Sequence, residues 1–267
     1  TGQAQDYGMC GGRRVLWHNV LTLIAQHPWL GWGWGETDFA HFMTHYSSMR
    51  FCDMLDNAHD FPLHLALEFG VPFALLVMAC VVAWVLRRQP WCERNPWRVM
   101  AWSLLLVLGL HSLLEYPLWY GPFQMTLGFA MGLLWSPLGM TAKEEAQEGP
   151  MLVAAVLFIG CLYATWDFNR VGQIYRQPAS RDAAYRDNPL QHAKQSWLFR
   201  NQAEFAELTT REVTADSAAE VYSQALRLMH YSPEARVVQR VIDSGKLLGH
   251  DAQAQTLTER LDDVKQN

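Results

Sequence analysis

"LHLALEFGVPFALLVMACVVAWVL", Leu63 to Leu86, is the stretch on which the fold turns. Glu68 is its only charged residue. At a helical rise of about 1.5 Å per residue, the run is long enough to cross a hydrocarbon core of roughly 30 Å. It is read as a membrane-spanning helix.

Three further apolar runs follow: Val99 to about Tyr120, interrupted by His111 and Glu115, then Phe123 to Met140, then Met151 to Trp166. The last two are short, so thinning of the bilayer or burial beside other helices is expected. Half of the chain is hydrophobic (50%), yet the residues after Trp166 are polar, charged and rich in Ala and Gln. The expected fold is all-α, with about four polytopic membrane spans at 63–166, a loop before them at 1–62 and a soluble helical tail at 167–267.

Lys and Arg mark the cytoplasmic side of a membrane protein. Arg87, Arg88, Arg94 and Arg98 crowd the connector "RRQPWCERNPWR", which is therefore expected inside. Alternation then places residues 1–62, the loop near Tyr120 and the tail outside. The net charge of −5 and the lack of a Lys/Arg-rich block exclude a nucleic-acid partner. The chain opens on Thr1 with no basic n-region, and is read as a fragment of a longer protein without a signal peptide.

In the outer segment, "RRVLWHNVLTLIAQHP" places Val15, Leu16, Val20, Leu23 and Ile24 at helical spacing until Pro28 ends the pattern. This amphipathic helix either lies on the membrane or packs on other helices. "HPWLGWGWGETDF" gathers Trp29, Trp32 and Trp34 around glycines, a composition typical of the water–membrane interface. Cys10 and Cys52 lie in this segment; they pair if it faces an oxidising compartment, and free thiols are the other reading. The tail reads as helices over Leu190 to Leu208, Ser217 to His230, Pro233 to Leu248 and Asp251 to Val264, either tetratricopeptide-like or a plain bundle.

Several residue types carry chemistry. His59, in "DNAHDFPLHLALEFG", can take a proton from a hydroxyl or donate to a developing anion. The bland alternative is an interfacial polar residue beside a helix start capped by Asp56 or Asn57. Arg13 and Arg14 pair two guanidinium groups, whose planar forks suit phosphate, although two solvated arginines are the commoner case. His111 and Glu115 stand four apart on one helix face, and either bond each other or contact substrate. Asp38, His41 and His45 can project from one face, but no fourth ligand is evident and no metal is expected.

Taken in order, "GRRVLW", "HPWLGWGWG", "NAHDFPLHLALEFG" and "HSLLEYPLWY" resemble the C-terminal half of the bacterial O-antigen ligase and polymerase superfamily. The last motif is most similar to the PglL-type protein O-oligosaccharyltransferases, and the resemblance covers roughly residues 9–140. It implies a multi-pass inner-membrane glycosyltransferase with a periplasmic N-terminal loop and tail. Its partners would be an undecaprenyl-diphosphate-linked glycan donor, a periplasmic pilin-like protein acceptor and membrane lipids, with no cofactor and no metal. The family's G-R-x-x-L-W pattern falls on Gly12, Arg13, Leu16 and Trp17, with Arg14 at the first variable place. Arg13 and Arg14, with His111 and Glu115, are then substrate-binding candidates, and His59 falls on the family's essential histidine. Many relatives carry Asn after that histidine where this chain has Asp60, which leaves the role of position 60 open. A ligase or polymerase acting on lipid-linked glycans, and a non-catalytic membrane scaffold whose tail binds partners, are the competing readings.

Overall fold

The computed structural model describes residues 10–135 and 148–266, and the regular elements among them are all helical. The chain divides into two compact units, one up to Thr141 and the other from Ala142 to Lys265.

The first unit begins with α1 (Arg13–Gln26), and α2 (Thr37–Met43) follows. Leu16, Val20, Leu23 and Ile24 recur at helical spacing on α1 and are all buried. They pack with Ala40, Tyr46, Phe51, Leu55, Ala58 and Leu67 in one core. Each such side chain contributes on the order of 2 kcal/mol by leaving water. The apolar face of this helix is thus covered by protein and not by lipid.

One polar residue sits inside that face. Asn19 is fully buried, donates to the Met49 carbonyl (3.1 Å) and accepts from the Phe51 N–H (2.7 Å). A side-chain amide here supplies the partners that the irregular backbone of residues 44–58 lacks. The Cys10–Cys52 disulfide ties the same segment to the start of α1, with Cα atoms 5.4 Å apart. His41 is equally committed to packing. Burial and then the positive charge of Arg50 push its pKa down to about 3, so the ring is neutral. Its Nε2 lies 3.3 Å from the Phe51 carbonyl and so carries the proton, leaving Nδ1 to accept from the Tyr46 hydroxyl at 2.8 Å. Both ring nitrogens that the sequence offered to a metal are occupied.

The expected span Leu63 to Leu86 is not one helix. It is α3 (Phe61–Phe69) and α4 (Val71–Arg88), separated at Gly70, whose φ is +89°. The glycine-rich turn after α1 lies along the end of α3. Trp32 N–H donates to the Leu67 carbonyl (2.9 Å), Gly33 N–H to the Glu68 carbonyl (3.0 Å), and Val71 N–H to the Pro28 carbonyl (2.8 Å). Carbonyls at the C-terminus of a helix have no partner within it, and the turn supplies them. The approach is so close that a Cβ at Gly31 would stand 2.3 Å from the Glu68 carbonyl carbon, and one at Gly70 2.2 Å from the Trp29 carbonyl oxygen. Glu68, the lone charge of the run, is buried and accepts the Gly35 N–H at 2.8 Å.

Beyond α4 come α5 (Pro96–Ser112) and α6 (Gly121–Trp135). They pack around Ala101, Trp102, Ala130 and Leu134, and Trp84 of α4 meets Trp102 with ring centroids 4.7 Å apart. Arg98 closes the end of α6 by donating to the carbonyls of Leu133 (3.3 Å) and Leu134 (3.1 Å).

The second unit opens with α7 (Glu148–Gly172) and continues through α8 (Pro189–Ala193), α9 (Arg200–Thr210), α10 (Ala218–Tyr231), α11 (Ala235–Leu247) and α12 (Asp251–Gln266). The helix expected over Leu190 to Leu208 is broken between α8 and α9, because the Ser196 hydroxyl and the Leu198 N–H donate to Asp167 while the same hydroxyl accepts the Phe199 N–H. The other tail helices fall within a few residues of their expected ranges. Among the described residues, two helical stretches are long and apolar enough to cross a membrane, Val71–Cys92 and Met151–Tyr175. The helices α5 and α6 are apolar but shorter, at 17 and 15 residues; the part of the third expected span beyond Trp135 lies outside the described residues.

Candidate functional site

His59 stands on the loop before α3 with φ +50°, a left-handed conformation that a non-glycine residue adopts at some cost. Two contacts hold it there. The His59 N–H donates to the buried Asn57 side-chain oxygen (2.8 Å), closing a local turn. The Trp17 indole N–H donates to the Ala58 carbonyl (3.1 Å), fastening the loop to α1. Asp60 then caps α3 by accepting Leu63 N–H at 2.8 Å. The cap is neither Asp56 nor Asn57.

Glu115 gathers the site. Its Oε2 lies 2.8 Å from His59 Nδ1, and its Oε1 accepts from Arg13 Nη2 at 2.6 Å. Three elements remote in sequence are joined through one carboxylate: the first turn of α1, the loop before α3 and the loop after α5. Burial works to raise the Glu115 pKa, but the hydrogen bonds and charges of His59 and Arg13 outweigh it and hold the carboxyl below its usual range. Side-chain exposures of 48% for Arg13, 39% for Glu115 and 27% for His59 leave the group open to solvent.

Of the five residues expected at the site, the structure brings together Arg13, His59 and Glu115. Arg14 is exposed and makes no hydrogen bond or ion pair among the described residues. The His111 side chain does not bond Glu115; its ring sits edge-on to Phe123 with centroids 5.4 Å apart, while its backbone carbonyl accepts Glu115 N–H (2.8 Å). Tyr116, which the sequence reading passed over, stands edge-on to His59 at 4.9 Å and stacks on Tyr120 at 5.7 Å. A hydrogen bond to Tyr120, then burial and the nearby charges of Tyr120, Asp56 and Glu115, push the Tyr116 pKa up to about 12, so its hydroxyl keeps its proton. Its signal was its place beside Glu115 in "EYP". The cluster offers a guanidinium for an anion, an imidazole for proton transfer, a carboxylate to orient both and an aromatic wall.

Residues 99–263 match the family described as virulence factor membrane-bound polymerase, C-terminal, and residues 3–78 match the O-antigen ligase family. Arg13 and His59 lie in the second of these matches and Glu115 in the first. A general O-oligosaccharyltransferase of Acinetobacter baylyi is 27% identical over 190 residues, which cover 67% of this chain and 33% of that protein. A ComP-specific O-oligosaccharyltransferase of the same organism is 25% identical over 126 residues, 47% of this chain and 23% of that protein. The chain thus spans a third or less of the length of these curated relatives. No solved structure matches the chain significantly.

Proposed function

The chain belongs to the family of virulence factor membrane-bound polymerases, whose C-terminal region it matches, and on that premise we propose that it is the C-terminal part of a membrane O-oligosaccharyltransferase. The donor is a glycan on undecaprenyl diphosphate, and the acceptor is a Ser or Thr hydroxyl of an exported, pilin-like protein.

The observation that carries the reading is the meeting of Arg13 and His59 on Glu115. In the proposed reaction the acceptor oxygen attacks the anomeric carbon of the first sugar. The bond from that carbon to the diphosphate oxygen breaks, and the hydroxyl proton passes to His59. The departing lipid diphosphate gains negative charge, which the Arg13 guanidinium offsets. Arg14 and His111 line the approach of the donor in this reading. The tail helices hold the acceptor protein.

The membrane arrangement follows the same proposal. The apolar stretches Val71 to Leu86 and Met151 to Trp166, within the two long helices, cross the inner membrane, the shorter α5 and α6 complete four crossings, and the arginine-rich connector faces the cytoplasm. The His59 end and the tail are then periplasmic. The Cys10–Cys52 disulfide supports this side, because such bonds persist in oxidising compartments.

The O-antigen ligase match favours a second reading, transfer to a lipid acceptor such as lipid A core. One experiment separates the two. The full-length parent is expressed in cells that make a defined lipid-linked glycan, with a pilin and a lipid A core acceptor both present and His59→Ala as control. Glycosylated pilin that disappears in the variant is the expected result. Product on the lipid alone moves the assignment to ligase, and pilin glycosylation that survives in the variant removes His59 from the mechanism.

A further inference from the structure

We propose that Glu115 is a positioning residue that couples donor binding to the base: with no donor its carboxylate holds both Arg13 and His59, and an arriving diphosphate takes Arg13 while His59 stays. The inference rests on the reading above and departs from a direct substrate contact by Glu115.

The geometry divides the carboxylate between two tasks. Oε2 faces His59 Nδ1 at 2.8 Å. An ionised carboxylate has no proton to give, so Nδ1 carries one and donates it. In the neutral ring this leaves the lone pair on Nε2, the nitrogen that no protein group engages among the described residues. The base is thereby presented in one tautomer and one orientation. When Nε2 takes the acceptor proton, the imidazolium forms against a carboxylate that remains ionised and offsets its charge.

Oε1 holds Arg13 at 2.6 Å, and this pair is a different kind of contact. Both partners are well exposed, so water screens their attraction and the pair is easily exchanged. A diphosphate offers the guanidinium several oxygens and more charge than one carboxylate. Glu115 and the donor therefore compete for the same cation. Once Arg13 moves to the donor, His59 is the remaining partner of Glu115, and the base is fixed while the leaving group is being held.

This arrangement predicts opposite signs for two quantities. In the full-length parent in proteoliposomes, Glu115→Gln removes the competing charge at nearly constant shape. Its binding of undecaprenyl diphosphate, used alone as the probe, is expected to tighten several-fold, whereas Arg13→Ala weakens it. The same Glu115→Gln protein is expected to lose roughly 100-fold or more in kcat for glycan transfer, with a donor KM at or below that of the parent. Glu115→Asp, which keeps the charge, is expected to recover part of the rate. Weaker lipid-diphosphate binding by Glu115→Gln overturns the inference, as does a rate within threefold of the parent's, on the order of the smallest effect separable from assay scatter. A Glu115→Gln protein that no longer accumulates in the membrane also overturns it, since Glu115 would then be a structural strut. These outcomes are separable from failure of the function itself. A parent that transfers no glycan to protein, or a fully active His59→Ala, refutes the transferase reading, while the order of lipid-diphosphate binding still reports the competition for Arg13.

Discussion

Each unit of the molecule holds a polar cluster built on a carboxylate and a guanidinium, Glu115 with Arg13 in the first and Asp167 with Arg170 in the second, and the two clusters have opposite characters. In the first unit, Glu115 joins Arg13 and His59 with about a quarter to a half of each side chain exposed and His59 in a costly backbone conformation. In the second, Asp167 is fully buried and its oxygens are fully engaged. Oδ1 accepts from Arg170 (2.5 Å), and Oδ2 from the Ser196 hydroxyl (2.8 Å) and the Leu198 N–H (3.1 Å), while Arg170 lies over the Trp166 ring. Similar chemical groups serve different ends. A buried carboxylate with both oxygens engaged specifies a chain path, here the turn between α8 and α9. An exposed cluster with a spare imidazole nitrogen and an exchangeable guanidinium is available to a ligand.

The sharpest way to break this contrast is to delete one residue from each cluster. His59→Ala is expected to lower glycan transfer by 10²-fold or more, on the order of a lost general base, and to leave the melting temperature of the purified protein unchanged. Asp167→Ala is expected to act in reverse. Removing one partner of a buried pair costs about 3–5 kcal/mol, and here it also frees Ser196 and Leu198. A large fall in melting temperature and easier proteolysis near residue 197 are the expected readouts. A His59→Ala protein that melts early, or an Asp167→Ala protein that melts normally, would dissolve the distinction.

Asp38 lies between these extremes and sharpens it through pH. It is half-buried, and its Oδ1 has no hydrogen-bond partner among the described residues. Burial, then the charge of Asp56, pushes its pKa up to about 6. A carboxyl whose pKa is raised on folding is more welcome in its neutral form. Its contribution is therefore fully present below the unfolded value near 3.8 and is lost as pH rises through about 6. Two pKa units set an upper limit of roughly 3 kcal/mol, and partial exposure reduces it to about 1–2 kcal/mol. Asp38→Asn is expected to raise the melting temperature at pH 7 and to leave it nearly unchanged at pH 4. Equal shifts at both pH values would show that the carboxyl is not desolvated.

How much of this was legible depended on whether the cause was local. Arg13, His59 and Glu115 were readable as motif residues, and the amphipathic α1 as a spacing pattern, because each signal lies within a few residues. The break at Gly70 was hidden by hydrophobicity that continues unchanged across it. Its mark, a glycine followed two residues later by Pro72, was present in "FGVP", but the reason for the break is the backbone of residues 28–33 lying against it. The split of the first tail helix had no local sign, since Asp167 imposes it from α7. The partners of Glu115 were misjudged for the same reason. His111 is four residues away, but Arg13 and His59 are brought by the fold.

Position 60 gives the finest test, because the sequence left its role open and the structure offers a modest one. Asp60 neighbours His59, yet its side chain is turned to Leu63 N–H at the start of α3. An N-cap needs a side-chain acceptor and no particular charge, and Asn serves about as well as Asp. Asp60→Asn is therefore expected to keep both transfer rate and melting temperature. Asp60→Ala should cost about 1 kcal/mol of stability, with at most a few-fold loss of rate at a temperature where the protein stays folded. A rate that collapses in Asp60→Asn while melting is unchanged would mean that the carboxylate acts on the chemistry beside His59. The boundary between residues that hold the loop and residues that react would then have to be drawn one position further along the chain.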